Sequence, residues 1–386
     1  MIGPILPHYI KSNIREIALA TYVAVSLLLS IHYFKTPMGA VDSLDFAGCV
    51  AALHNSDPVA IHKTAYREVL RDAPSIVVPH MLGTDENTNT AAVRRDRYAN
   101  ADHFVESLPY FSIKPLYIEF ISGLHWLGIR MFPAIVLASV LPAFALTLLM
   151  CAWTLRLHGS LLLLCVFLLV PEIRILGYDQ GPDALSALVL LGSFIFIFAA
   201  DRLCPGVTLL LASIWIRPDN AVFVLVILAY LGLRGQIPAW IALVLAAIAL
   251  ASPIVIGHYG GSYGWKALYS HTFKYVEMAP GEFTPTFTVN DYVRALRQGF
   301  VNILNGSSVM YVVLGMISYK TVSEMRVPLV IALTASAIHF LIYPNFEPRY
   351  YALSYALVAI ASTVSLSRIA YKPRTANSLV NQHAGE

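Results

Sequence analysis

The sequence predicts an all-α polytopic membrane protein with about ten transmembrane helices. Three observations favour this fold class: 57% of the 386 residues are hydrophobic, only 13% are charged, and the mean hydropathy is +0.65. A soluble domain has a charged share of about a quarter, so an ordinary soluble domain is excluded. The net charge of +3 comes without any basic stretch typical of nucleic-acid binding, and no nucleic-acid partner is expected.

The first apolar segment, residues 14–34, is preceded by Lys11 and Arg15 and is long enough to span a bilayer. It is too long for a signal peptide and lacks a small-residue cleavage site, so we expect a retained anchor with a cytoplasmic N-terminus. The polar residues 35–131 then form a long first outer loop. Within it, residues 116–130 predict an interfacial helix with Glu119 and Arg130 on one narrow strip.

Nine further apolar segments predict the remaining spans. Threading them from a cytoplasmic N-terminus places most short-loop lysines and arginines inside, as the positive-inside rule requires. Two of the nine are short and predict a half-length hairpin packed among other helices. A second outer loop at 259–299 and a cytoplasmic tail at 372–386 complete a single transmembrane domain of residues 1–371. The nine segments are 132–154, 159–176, 183–200, 206–217, 220–233, 237–257, 300–319, 327–343 and 350–367.

In this threading Arg174, Arg217 and Arg349 lie outside in short loops, against the positive-inside rule. Each arginine has an acidic neighbour in the chain, so local ion pairing at helix ends is one interpretation. The other is that arginines clustered on one face bind a lipid-linked phosphate. A guanidinium offers phosphate oxygens a planar fork and keeps its charge at every physiological pH.

Two carboxylates, Asp42 and Asp45, follow the first span within a few residues. Ionisable groups at a membrane boundary are costly to keep without a use, so this pair is our candidate for the catalytic base. A helix N-cap at Asp42, with Asp45 as its capping-box partner, is the structural alternative, and Asp183 could cap a helix in the same way. Some of these carboxylates could coordinate a divalent metal, although no tight carboxylate or histidine spacing signals one, and the sequence indicates no other cofactor.

In their order and placement these motifs resemble the polytopic type-C glycosyltransferases (GT-C), which include protein O-mannosyltransferases and bacterial transferases acting on lipid A. The resemblance extends over most of the chain, to about residue 367, and each motif alone is weak. The segments that carry it are Asp42-Ser43-Leu44-Asp45-Phe46, Tyr110-Phe111-Ser112-Ile113-Lys114-Pro115-Leu116-Tyr117, Pro171-Glu172, Gly181-Pro182-Asp183, Ile216-Arg217-Pro218-Asp219-Asn220 and Pro348-Arg349-Tyr350.

The resemblance implies transfer of a sugar from a polyprenyl-phosphate donor to an acceptor hydroxyl of a lipid, a glycan or a protein. The transfer would invert the anomeric carbon at the outer face of a membrane such as the bacterial inner membrane. Asp42 or Asp45 would be the general base, and Asp42 matches the family's placement best. The expected substrate-binding residues are Arg174, Arg217, Arg349, Glu172, Asp183, Tyr350, Lys114 and His271.

A transporter or flippase is the alternative function. It would carry a lipid-linked or anionic substrate without chemistry, using the same arginines as binding groups. Many transporters contain repeated halves and paired broken helices, whereas the apolar segments of this chain indicate neither an internal repeat nor paired broken helices. The transferase is therefore the favoured interpretation.

Overall fold

The computed structural model describes residues 8–37, 42–274, 276, 279–282 and 284–370, without the side chains of residues 8–14 and of Glu282. In these ranges every regular element is a helix, and the prediction of an all-helical membrane protein is confirmed. The tail at 372–386 lies outside the described residues.

The membrane helices include five that are long and apolar enough to cross a bilayer, or seven if two bent pairs each count as one span. This count covers only the described residues, and it does not confirm the ten expected spans. Three apolar helices are shorter than a full span. The helices concerned are α1 (His8–Lys35), α9 (Met131–Arg156), α10 (Leu161–Leu168), α11 (Pro171–Tyr178), α12 (Asp183–Phe194), α13 (Leu203–Ile216), α14 (Ala221–Leu233), α15 (Ala239–Tyr259), α17 (Val289–Asn305), α18 (Ser308–Thr321), α19 (Arg326–Ile342) and α20 (Ala352–Ala370).

Two predicted spans are interrupted. The segment 159–176 bends by 65° between α10 and α11, because Pro171 cannot continue the preceding hydrogen-bond ladder. The segment 300–319 bends by 70° after Asn305, where Gly306 ends α17 with an extended backbone. Hydropathy runs continuously across the first break, so α10 and α11 correspond to one predicted span. The second predicted span covers α18 but only the last residues of α17. These two bent pairs correct the expectation that the chain has no paired broken helices.

Helix α20 lies at the centre of the membrane part. In its apolar 18-residue stretch 83% is buried, and the helix packs on α9, α12, α18 and α19. Helices α1 and α15 are peripheral, because only 17% of the apolar 18-residue stretch of each helix is buried. Tyr22 fastens α1 to α9, because its fully buried hydroxyl donates to the Thr147 carbonyl at 2.9 Å. Apolar surface on the peripheral helices is suited to lipid.

The predicted first loop is a compact group of short helices, here called the loop group. Its apolar core also includes the first half of α9, and within it Phe46 packs edge-on against Tyr117 with ring centroids 4.9 Å apart. Asp57 caps one helix by accepting hydrogen bonds from the Val59 and Ala60 amides. The members are α2 (Asp42–Ala52), α3 (Pro58–Asp72), α4 (Val78–Leu82), α5 (Asn89–Ala99), α6 (Ala101–Ser107), α7 (Pro109–Ser112) and α8 (Pro115–Trp126).

The second predicted loop also contains helix. Helix α16 (Gly264–Phe273) precedes a short 3₁₀ turn, and α17 then begins at Val289 inside the predicted loop. A capping box at Thr288 and Asp291 starts α17. This loop touches the loop group, because the Gly281 amide donates to Glu106 at 3.1 Å and the Tyr263 hydroxyl donates to the Glu106 carbonyl at 2.9 Å.

Candidate functional site

A cavity of about 300 Å³ lies where the loop group meets the membrane helices. We call it the Asp42 cavity. Asp42 and Lys114 border it from the loop group, while Arg217 and Arg349 border it from the membrane part. Six of the ten predicted site residues are therefore in one wall: Asp42, Lys114, Asp183, Arg217, Arg349 and Tyr350.

Asp42 is the first residue of α2, and its side chain is half-buried in the cavity wall. Burial raises the pKa of its carboxyl group to about 6, although the positive charge of Arg349 opposes the rise. No hydrogen bond joins this carboxylate to another described residue, so no N-cap bond is seen there. Asp42 is thus a carboxylate that faces open space with a pKa suited to accepting a proton near neutral pH.

Lys114 stands directly before Pro115, the first residue of α8. Its Nζ lies 4.9 Å from the ring centroid of Phe111 and 5.3 Å from that of Phe46, in cation–π geometry. Burial lowers the pKa of the ammonium to about 8, and the charge of Asp42 partly offsets this effect. Among the described residues no carboxylate oxygen lies within ion-pair distance of this Nζ, so its charge is available to a ligand.

Arg217 is held at the tip between α13 and α14 by carboxylates on two sides. Its Nε and Nη2 donate to the two oxygens of Asp219 at 3.0 and 2.6 Å, and its Nη1 donates to Asp183. Its guanidinium carbon lies 4.5 Å from the ring centroid of Tyr350. His339 completes the cluster, because its Nε2 lies 2.9 Å from Asp219 Oδ2. Asp183 faces Arg217 and makes no side-chain cap bond on α12.

Arg349 has a similar environment. Its Nε donates to Glu347 at 2.6 Å and its Nη1 donates to Asp179. The Nε also lies 3.9 Å from Asp183, which therefore contacts both arginines. Among the described residues Nη2 of Arg349 has no hydrogen-bond partner. The ion pairing that the sequence left as an alternative is thus present at both Arg217 and Arg349, and a bound phosphate would meet arginines that are already partly neutralised.

Asp45 lies behind the cavity wall and does not border it. The residue is 4% exposed, accepts a 3.0 Å hydrogen bond from Ser107, and lies 3.9 Å from Arg97. Burial raises the pKa of its carboxyl group, and the charge of Arg97 and the Ser107 hydrogen bond lower it. Its place is that of a structural carboxylate within the loop group.

The remaining predicted residues also lie outside the cavity wall. Glu172 and Arg174 belong to α11, and the buried Oε2 of Glu172 has no hydrogen-bond partner in the described part of the chain. Arg174 lies beside Tyr33 of α1. His271 stacks on Tyr110, which does border the cavity, with ring centroids 4.4 Å apart. Of the three arginines predicted to cluster, only Arg217 and Arg349 therefore border the same cavity.

Several wall residues were missed from the sequence, above all Asp219, His339 and Tyr343. His339 is 2% exposed in the otherwise apolar helix α19. An ionisable residue inside an apolar span is itself a signal of a functional site. Asp219 had been assigned only as a local partner of Arg217.

One possible metal-ligand group exists among the side chains that the structure describes. His80, Asp85 and Glu86 have ligand atoms within 4.8 Å of one another, but they do not border the Asp42 cavity. Glu86 already faces Arg94, with 3.9 Å between its oxygen and the guanidinium nitrogen. Nothing in this arrangement links a metal to the cavity.

The Asp42 cavity thus combines a carboxylate of raised pKa, an ammonium of lowered pKa and two guanidinium groups. Such a set can take a proton from a hydroxyl group and oppose negative charge developing on a leaving group. Comparison with known proteins adds no further guide: no protein-family model, no curated protein and no solved structure matches this chain.

Proposed function

We propose that this membrane protein is an inverting glycosyltransferase that moves a sugar from a polyprenyl-phosphate donor to the hydroxyl of a lipid, a glycan or a protein. The supporting observation is the single cavity that Asp42 borders together with Arg217 and Arg349. The order of motifs that resembles the GT-C family is consistent with this proposal. We further propose that the cavity opens on the outer face of a bacterial inner membrane.

In the proposed reaction Asp42 is the general base. Its carboxylate takes the proton of the acceptor hydroxyl while the hydroxyl oxygen attacks the anomeric carbon from the face opposite the phosphate. The bond from the anomeric carbon to the phosphate oxygen breaks, and its electron pair leaves with the polyprenyl phosphate. The new glycosidic bond forms with inversion, and the proton remains on Asp42 until it passes to water.

The leaving phosphate gains negative charge, which the wall cations would stabilise. Lys114 and Nη2 of Arg349 are the cationic donors best placed for this role, since neither has a hydrogen-bond partner among the described residues. Arg217 is saturated by Asp183 and Asp219 and would act mainly by shaping the cavity. The ring of Tyr350 contacts both guanidinium groups, with its centroid 4.5 Å from the guanidinium carbon of Arg217 and 5.4 Å from that of Arg349.

The test uses the purified full chain in lipid nanodiscs with radiolabelled polyprenyl-phosphate sugars, first without any acceptor. Slow release of free sugar, or transfer to an added membrane-lipid extract, is expected for the native chain and not for Asp42→Asn. Donor that binds but is never cleaved, together with its passage across the bilayer of proteoliposomes, would overturn the transferase and favour the flippase.

A further inference from the structure

A second, polar cavity borders the second outer loop and has a volume of about 320 Å³. We call it the amide cleft. It lies between the end of α16, the length of α17 and the turn that follows α19. Its polar wall consists of Thr272, Asp291, Arg294, Gln298, Asn302 and Asn345.

Helix α17 has two contrasting faces. Val289 and Leu304 are 78% and 69% exposed on one face, as suits contact with lipid. Asp291, Gln298 and Asn302 lie on the opposite face, towards the amide cleft. The polar face of a helix at a membrane surface is usually exposed to water. In α17 the polar face instead forms one side of a cavity, and ligands usually bind in such concave sites.

The amide cleft and the Asp42 cavity share a thin wall. Thr272 of the cleft and Tyr343 of the cavity are joined by a hydrogen bond of 2.6 Å between their hydroxyl groups. A second connection runs from the Asn345 side chain to Glu347 at 3.1 Å and from Glu347 to Nε of Arg349 at 2.6 Å. A ligand that fills the cleft therefore lies next to the part of the Asp42 cavity wall that Tyr343 and Arg349 form.

The cleft offers both donors and acceptors with little net charge. Gln298 donates to Asn302 at 3.0 Å, which leaves the oxygen of Gln298 and the amide hydrogens of Asn302 for a ligand. Lys274 neutralises Asp291 at 2.9 Å. Phosphate sites in proteins usually gather several cations, whereas among the described residues of this cleft the only guanidinium is that of Arg294, which forms no ion pair with another described residue. Carboxamides that accept and donate side by side match the hydroxyl groups of a sugar.

We propose that the amide cleft binds an uncharged carbohydrate segment of the acceptor substrate. That the carbohydrate belongs to an acceptor rests on the proposed transferase function, whereas the carbohydrate site is argued from the residues of the cleft alone. Because the two cavities are adjacent, the rest of a bound acceptor could extend to the Asp42 cavity.

The test is saturation-transfer NMR on the full chain in nanodiscs with the neutral trisaccharides maltotriose, chitotriose and mannotriose. At least one should bind, and Asn302→Ala or Gln298→Ala should weaken it about tenfold through the loss of hydrogen bonds. Asn290→Ala is the matched control, since it removes an exposed carboxamide from the same helix outside the cleft. Thermal unfolding of each variant establishes that it is folded.

Binding of none of the three trisaccharides would overturn the proposal. Binding of glycerol 3-phosphate that is lost in Arg294→Ala would overturn it too, in favour of an anionic headgroup site. Donor hydrolysis separates the two claims: if Asn302→Ala hydrolyses the donor normally and no trisaccharide binds, only the cleft proposal fails. If the protein binds a trisaccharide but never cleaves the donor, the transferase proposal is wrong and the carbohydrate-site proposal still stands.

Discussion

The hydroxyl of Ser107 donates a 3.0 Å hydrogen bond to the carboxylate of Asp45, and this contact separates two aspartates that are neighbours in the sequence. Asp45 is buried in the loop group, where this hydrogen bond holds its carboxylate, while Asp42 faces the cavity. We predict that Asp42→Asn lowers transfer or donor hydrolysis by roughly a hundredfold or more, because a general base is lost. Its thermal stability and donor binding should be unchanged.

The matched variant is Asp45→Asn. It removes the charge next to Arg97 and weakens a buried hydrogen bond, which should lower the free energy of unfolding by about 1–3 kcal/mol. Residual activity per folded molecule should stay near that of the native chain. An inactive but stable Asp45→Asn beside an active Asp42→Asn would reverse the two roles.

The pH dependence of kcat/KM should be bell-shaped. Asp42 must be deprotonated to act as a base, and its raised pKa of about 6 predicts that activity increases as the pH rises through this value. Lys114 must be charged to oppose the phosphate, and its lowered pKa of about 8 predicts that activity falls above it. Lys114→Arg should remove only the alkaline limb, and an unaltered alkaline limb in that variant would exclude Lys114 as its source.

Substitution of Arg217 should affect stability as well as donor binding. An arginine that only bound phosphate would affect donor binding far more than stability. The contacts with Asp183 and Asp219 add a structural role, because the alanine variant leaves two carboxylates without their partner. A loss of about 3 kcal/mol in unfolding free energy is expected. Arg217→Lys should recover part of it, and an equally stable alanine variant would contradict the pairing.

The two predicted outer loops should be labelled from the same side of the membrane. They touch in the structure, where the Asn89 side chain donates to the Val276 carbonyl at 3.5 Å. Asn87→Cys and Thr284→Cys, each in a background without the four native cysteines, should react equally with a membrane-impermeant maleimide. Reaction of the two positions from opposite sides would refute the topology.

Hydropathy was sufficient to predict most of the helices. The expected span 132–154 corresponds to Met131–Arg156, since a continuous apolar run of this length forms a helix in a bilayer. The breaks at Pro171 and Gly306 were present in the sequence as residues that end helices. Averaging hydropathy over many residues conceals such single residues, so the two breaks were not predicted.

The site was predictable only where its residues stood in recognisable motifs. Asp42 was found because two carboxylates closely follow the first span, and Arg217 and Arg349 were found because they depart from the positive-inside rule. The pairing of Arg349 with Asp179 joins positions 170 residues apart, and that of His339 with Asp219 joins positions 120 apart. Which distant groups meet depends on how the helices pack, and a single sequence contains no direct signal of that packing.

The contacts of Arg217 also bear on how the chain enters a membrane during synthesis. A bare arginine near the middle of a bilayer costs about 2.5–3.5 kcal/mol on insertion scales. Asp219 follows Arg217 by two residues and Asp183 precedes it by 34, so both partners have been translated when this hairpin emerges. The charge of Arg217 can therefore be balanced within α12 to α14, before α19 and α20 have been synthesised.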